Sequence, residues 1–174
     1  DISFSNVVMP VAHYDYDFID ESIKSYFFKT NAHVFYRIEF KPTGYIFGED
    51  VIWSNYCYEF SIKLSANSPK TPSFDSLVAP PIAVIFIDFF REKEKAILYT
   101  CDTSDRRYTA RMNKFNRWFE QFNQGDFCKI DASIADPIQN VYYFNSLIIR
   151  EDNPYKEEIA AAFDELMGGL EEEK

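Results

Sequence analysis

Glycine is scarce in this chain, with five residues in 174, at positions 44, 48, 125, 168 and 169. They are too scattered for a phosphate-cradling loop. Neither G-x-G-x-x-G nor G-x-x-x-x-G-K-[ST] occurs, which removes the usual dinucleotide and P-loop signatures. Histidine is scarcer still, with His13 and His33 only, so a Ser–His–Asp or Cys–His system has few ways to exist, and no G-x-S-x-G is present. The three cysteines, Cys57, Cys101 and Cys128, are odd in number and contain no C-x-x-C pair. That spacing speaks against a thiolate metal site and a disulfide framework, and for free thiols in a reducing, cytoplasmic setting. Cys57 falls on the polar side of its strand pattern and is the thiol expected to react. Long apolar runs are also missing: Leu77–Ile87 holds two prolines and is too short to span a bilayer. No basic start followed by an apolar stretch opens the chain, so no retained signal peptide and no membrane partner are expected.

Acid and aromatic residues are abundant. There are 28 Asp+Glu against 18 Lys+Arg, a net charge of −10 and a pI near 4.7. This balance speaks against nucleic acid as a partner, since phosphate neutralisation needs a concentrated basic surface. The 18 Phe, 12 Tyr and 2 Trp supply material for a sizeable core. The length fits one domain at roughly 100–200 residues per domain. It divides into a strand-rich part (1–64), a polar connector (65–76, SANSPKTPSFDS), a helix/strand part (77–167) and a frayed acidic tail (168–174).

The periodicity changes along the chain. In 33–41, Val34, Tyr36, Ile38 and Phe40 alternate with more polar positions, and in 56–64 Tyr56, Tyr58, Phe60, Ile62 and Leu64 do the same. Period 2 marks half-buried antiparallel strands, with 26–29 as a preceding hairpin partner and Pro42-Thr43-Gly44 as a turn. After the connector, Ile82, Ile85, Phe86, Phe89 and Phe90 follow helical spacing behind Pro80-Pro81. Ala96–Cys101 is a short strand. Tyr108, Met112, Phe115, Phe119 and Phe122 mark an amphipathic helix ending near Gly125, and 141–149 is a strand. Asn153-Pro154 starts a last helix, with Ile159, Ala162, Phe163 and Leu166 as its stripe, and Gly168-Gly169 is expected to stop it. The resulting fold class is α+β: an N-terminal antiparallel β-meander, then α-β-α-β-α, with a mixed or antiparallel sheet and helices packed on one face.

Charge is unevenly spread. Residues 91–129 hold 9 basic and 6 acidic side chains inside an otherwise acidic protein. Arg106, Arg107, Arg111, Lys114 and Arg117 have no acid among them, and 107, 111 and 114 fall on one helical stripe. Just upstream, Asp102 and Asp105 sit in a polar turn between strand and helix. Two readings compete for this segment: an anion- or partner-binding site, or capping carboxylates and a solvated basic face that pairs with the chain's own acids. Arginines at a helix start oppose the helix dipole, which a purely structural helix avoids, so the site to test comprises Asp102, Asp105, Arg106, Arg107, Arg111 and Lys114. His13, Asp15 and Asp17 alternate in a form that suits a divalent metal, but short acidic runs of this kind mostly face solvent, and no metal or cofactor is expected.

Tyr99, Cys101-Asp102, Asp105, Arg106, Arg111, Phe115, Trp118-Phe119 and Asn153-Pro154, within about residues 96–170, resemble a family of small bacterial proteins known only as a domain of unknown function. The resemblance implies a bacterial cytoplasmic protein and no activity. The expectation is therefore a non-enzymatic binding module whose partner is a protein or a small anionic ligand. The alternative is an enzyme acting on a phosphorylated or nucleotide-like substrate through Asp102, Asp105 and the neighbouring arginines.

Overall fold

The computed structural model describes residues 24–29, 35–64, 79–102, 108–136, 138 and 141–172. Their strands are β1 (Lys24–Lys29), β2 (Phe35–Pro42), β3 (Cys57–Leu64), β4 (Ala96–Asp102), β5 (Phe127–Asp136) and β6 (Val141–Arg150). The helices are α1 (Gly44–Phe47), α2 (Ala79–Phe89), α3 (Tyr108–Phe122) and α4 (Lys156–Glu172), with a 3-10 segment over Ile52–Tyr56. The strands form one sheet in the order β1-β2-β3-β4-β6-β5. All neighbours are antiparallel except β3 and β4. The α+β class and the mixed sheet are as the sequence implies.

The first three strands form the expected meander. Tyr36, Ile38 and Phe40 of β2 lie opposite Leu64, Ile62 and Phe60 of β3. The turn at Thr43 is larger than a tight hairpin. Thr43 is fully buried, and its amide and hydroxyl both donate to the Cys57 carbonyl at 3.0 Å, while α1 and the 3-10 segment loop out between them. Gly48, at φ +96°, supplies the left-handed turn this excursion needs.

Alternation then decides where the helices go. Ile97 and Ile148 point to one face of the sheet, with Tyr36, Ile38, Phe40 and Phe60. There Ile82, Ile85, Phe86, Phe89 and Phe90 of α2 and Phe115, Trp118 and Phe119 of α3 cover them. The rings interlock, with Phe40 stacked on Phe89 at 4.1 Å and Tyr99 on Phe115 at 4.2 Å. Ala96, Leu98, Leu147 and Ile149 point the other way and meet Ile159 and Phe163 of α4. The helices thus divide between the faces instead of sharing one. The central strands are apolar on both sides, and an uncovered second face would leave Leu98, Leu147 and Ile149 in water.

Two further differences from the sequence reading concern elements. Residues 127–136, not assigned there, form β5, a hairpin partner in continuous register with β6 from Phe127↔Arg150 to Asp136↔Val141. Gly168-Gly169 does not stop the last helix, which runs to Glu172. Glycine terminates a helix by turning left-handed, and otherwise it is only a weak helix former. The helix starts at Lys156, two residues later than Asn153-Pro154 implies, although the Asn153 side chain accepts from the Tyr155 amide at 2.8 Å in the turn leading into it. Gly125, at φ +94°, ends the α3 connection, where Asn123 Oδ1 accepts from the Gly125 and Phe127 amides at 3.1 Å.

Candidate functional site

The one parallel pair among the described strands is where the sheet is least closed. β3 and β4 run parallel and are in register over four pairs, Cys57↔Ala96 to Phe60↔Tyr99. Beyond that point both strands continue. β3 stays in register with β2 as far as Leu64, and β4 with β6 as far as Asp102. The ladder between them stops while the ladders on either side go on, so the two strands diverge toward their carboxyl ends and leave a wedge.

One side of this wedge is floored by rings. Phe60, Tyr99 and Phe115 contact one another at centroid distances of 5.9, 6.1 and 4.2 Å. Ile62 is half-buried on the same face, and Cys101 is buried. The other side is polar and open: Thr100 is exposed and donates to Asn145 Oδ1 at 2.9 Å, and the Ser61 hydroxyl contacts Glu39 Oε2 at 3.5 Å. Beside it the Tyr45 hydroxyl donates to Glu59 at 2.8 Å. Partial burial, reinforced by that carboxylate, pushes the Tyr45 phenol up to about 12.

Of the residues singled out from sequence, Asp102 is at this end of β4, and Arg111 and Lys114 follow in α3. Asp102 closes the strand opposite Tyr143, and α3 begins six residues later, so its N terminus follows the carboxyl end of the wedge. Asp105, Arg106 and Arg107 lie outside the described residues, as do the side chains of Asp102 and Arg111. Arg111 and Lys114 belong to α3, with Lys114 half-buried and in contact with neighbouring groups. His13, Asp15, Asp17 and His33 also lie outside the described residues. Among the described ones no group of three His, Cys, Asp or Glu side chains could hold a metal ion, and no helix is long and apolar enough to cross a membrane.

None of the three cysteines is in a disulfide, but their ranking differs from the sequence reading. Cys57 is 1% exposed, and burial pushes its thiol up to about 12. It is therefore not the reactive cysteine: its side of β3 is covered by the α4 layer and contributes to that core. Cys128, on β5, is half-buried. At the opposite end of the sheet, Lys95 is buried with its ammonium 2.8 Å from Glu92 and 4.9 Å from the Phe89 ring centre. That hydrogen bond holds the Glu92 carboxyl below its usual range, while burial and then the Lys95 charge lower the Lys24 amine.

The wedge itself was not legible in the sequence. It depends on where three ladders end, and the only trace was the long connector between β3 and α2, which a parallel crossover requires. No curated protein matches the chain. One solved structure, that of a CoA-dependent acyl-homoserine lactone synthase, MesI, aligns with a TM-score of 0.40 and 9% identity over 88% of this chain and 71% of that one, a likeness too slight to carry an argument. Residues 75–165, more than half of the chain and spanning α2, β4, α3, β5, β6 and most of α4, match a family described as Family of unknown function (DUF6169), and the chain belongs to that family.

Proposed function

We propose that the protein is a binding module for a small anionic ligand, taken up in the wedge between β3 and β4 with the basic segment around the start of α3 at its mouth. The observation that carries this reading is the early end of the β3–β4 ladder at Phe60 and Tyr99. Loops and helix N-termini gather at the carboxyl ends of parallel strands, and a gap between two such ends gives a ligand room beside them. β3 and β4 are the one parallel pair among the described strands, and in the sequence Arg106, Arg107, Arg111 and Lys114 follow soon after β4.

The chemistry of the wedge narrows the ligand. Diverging strand edges offer backbone donors and acceptors to an extended molecule carrying amides, which takes the place of an added strand. The basic segment favours a phosphate or carboxylate at one end of the same molecule. Coenzyme A combines two amides in its pantetheine arm with a phosphorylated nucleotide, so it is the informative probe. Pantetheine (amides without phosphate) and ATP (phosphate without the arm) separate the two contributions.

In a thermal-shift and calorimetric titration, coenzyme A is expected to stabilise the protein and both fragments to do so less, since a ligand at 100 times its Kd adds about 2.7 kcal/mol. Arg107→Glu/Arg111→Glu, with folding checked by circular dichroism, should abolish the response to coenzyme A and to ATP. No stabilisation by millimolar coenzyme A or ATP would end this reading. The enzymatic alternative, through Asp102 and Asp105, uses the same wedge and requires chemical turnover of the bound nucleotide; an unchanged ligand after prolonged incubation excludes it for that probe.

A further inference from the structure

We propose that β5 is a self-association edge, along which two copies of this chain pair antiparallel about Ile130 to make one continuous sheet. The proposal is independent of the wedge, which lies on the other side of β4 from β6 and β5. β5 is the last of the described strands in the sheet order and is in unbroken register with β6 over ten residues, with no bulge and no proline between Phe127 and Asp136. A long regular edge of this kind offers its outer backbone groups as a template for another strand, and natural sheets normally blunt such edges with bulges, prolines or isolated charges.

The charges on β5 favour a second copy instead of repelling it. Lys129 and Asp131 flank Ile130 on one face and form an ion pair within the strand. A two-fold axis through Ile130 sets Lys129 of one copy opposite Asp131 of the other, twice. Registers centred on 129 or 131 set like charges against each other, and those centred on 128 or 132 leave both charges opposite uncharged residues. Opposite charges directly across an antiparallel pair are favourable and like charges unfavourable, so the pattern selects one register. Asp131 is already oriented, since its carboxylate accepts from the Ser146 hydroxyl at 2.6 Å.

The other face of β5 agrees. Cys128, Ile130 and Ala132 are only partly buried against the core that includes Ile159 and Phe163. In the Ile130-centred register, Ile130 meets Ile130 and Cys128 meets Ala132 of the partner copy, so three half-buried positions per copy gain apolar neighbours and two cores become one.

The register is testable by a covalent trap. Ala132→Cys places a thiol opposite Cys128 of the other copy at a Cα separation of about 4.5–5.5 Å, within disulfide range. Within one strand the same two positions are about 13 Å apart and cannot join. Mild oxidation of Ala132→Cys should give a dimer on a non-reducing gel, and Cys128→Ser/Ala132→Cys should not. Light scattering of the unmodified protein should give twice the 20.5 kDa chain mass. Lys129→Asp should shift it to monomer, and Lys129→Asp/Asp131→Lys should restore the dimer. A monomeric wild-type protein at high micromolar concentration, a dimer indifferent to Lys129→Asp, or no cross-link in Ala132→Cys would each overturn the proposal.

Discussion

Cys57 alternates with Tyr58, Phe60 and Ile62 on a strand that looks half-polar, yet it is 1% exposed. A thiol is small and apolar enough to serve a core from either side of a strand, so its place in an alternating pattern says little about its access to water. The outcome expected for the native protein is that Cys128 alkylates first, while Cys57, with its thiol held up at about 12, resists until the chain unfolds. Peptide mapping after brief maleimide labelling with and without denaturant checks this, and native labelling of Cys57 ahead of Cys128 would contradict it. Phe115 presents the converse case, because its position was legible from helical spacing alone. It is 2% exposed, stacks on Tyr99 and touches Phe60 and Phe86. Phe115→Ala should therefore cost about 3–5 kcal/mol in denaturant unfolding, the range for emptying an aromatic site in a packed core. A loss under about 1 kcal/mol would show that the surrounding rings collapse into the space.

Among the elements, those with large side chains were the easiest to recognise. β2, β3, α2, α3 and the stripe of α4 carry Phe, Tyr and Ile at a clear period, and the structure places them as read. β5 escaped because two of its four inward positions, Cys128 and Ala132, are small and Asp131 and Ala132 have weak strand propensity; pairing with β6, not local preference, holds it. The end of α4 escaped for a related reason, since Gly168-Gly169 is a stop signal only where the chain turns left-handed. Its beginning is tied down twice over. Besides capping Tyr155, the buried Asn153 side chain donates to the Glu94 carbonyl at 2.9 Å, fastening the β6–α4 corner to the turn before β4. Asn153→Ala removes a cap and leaves a buried carbonyl without that donor. A loss of about 2 kcal/mol is expected, against about 1 kcal/mol for an ordinary cap. Asn153→Asp separates the two roles, because the carboxylate can still accept from Tyr155 but cannot donate to Glu94; it should recover only part of the loss in thermal or urea unfolding.

At the scale of the whole molecule, the α+β class follows from composition and period, but the two-faced layering and the wedge do not, because both depend on how separate strands are ordered. The basic segment after β4 could be found from charge alone, whereas the gap between β3 and β4 required knowing that they are parallel neighbours. That gap has a dynamic consequence that is readable in the unliganded protein before any ligand is added. Strand amides exchange with solvent according to the hydrogen bonds that hold them, and β3 and β4 each change surroundings at a defined residue. Among the described strands, segments 57–60 and 96–99 have ladders on both sides, whereas 61–64 and 100–102 have a ladder on one side. Amide exchange followed by mass spectrometry should therefore show slow exchange in the first pair of segments and a faster subset in the second, although all four are strand. A ligand lying between the strands must slow that subset selectively, and coenzyme A at saturating concentration should do so while leaving β1 unchanged. Equal protection along the whole of β3 and β4 in the unliganded protein would mean that the sheet is closed there, and the site would have to be sought elsewhere.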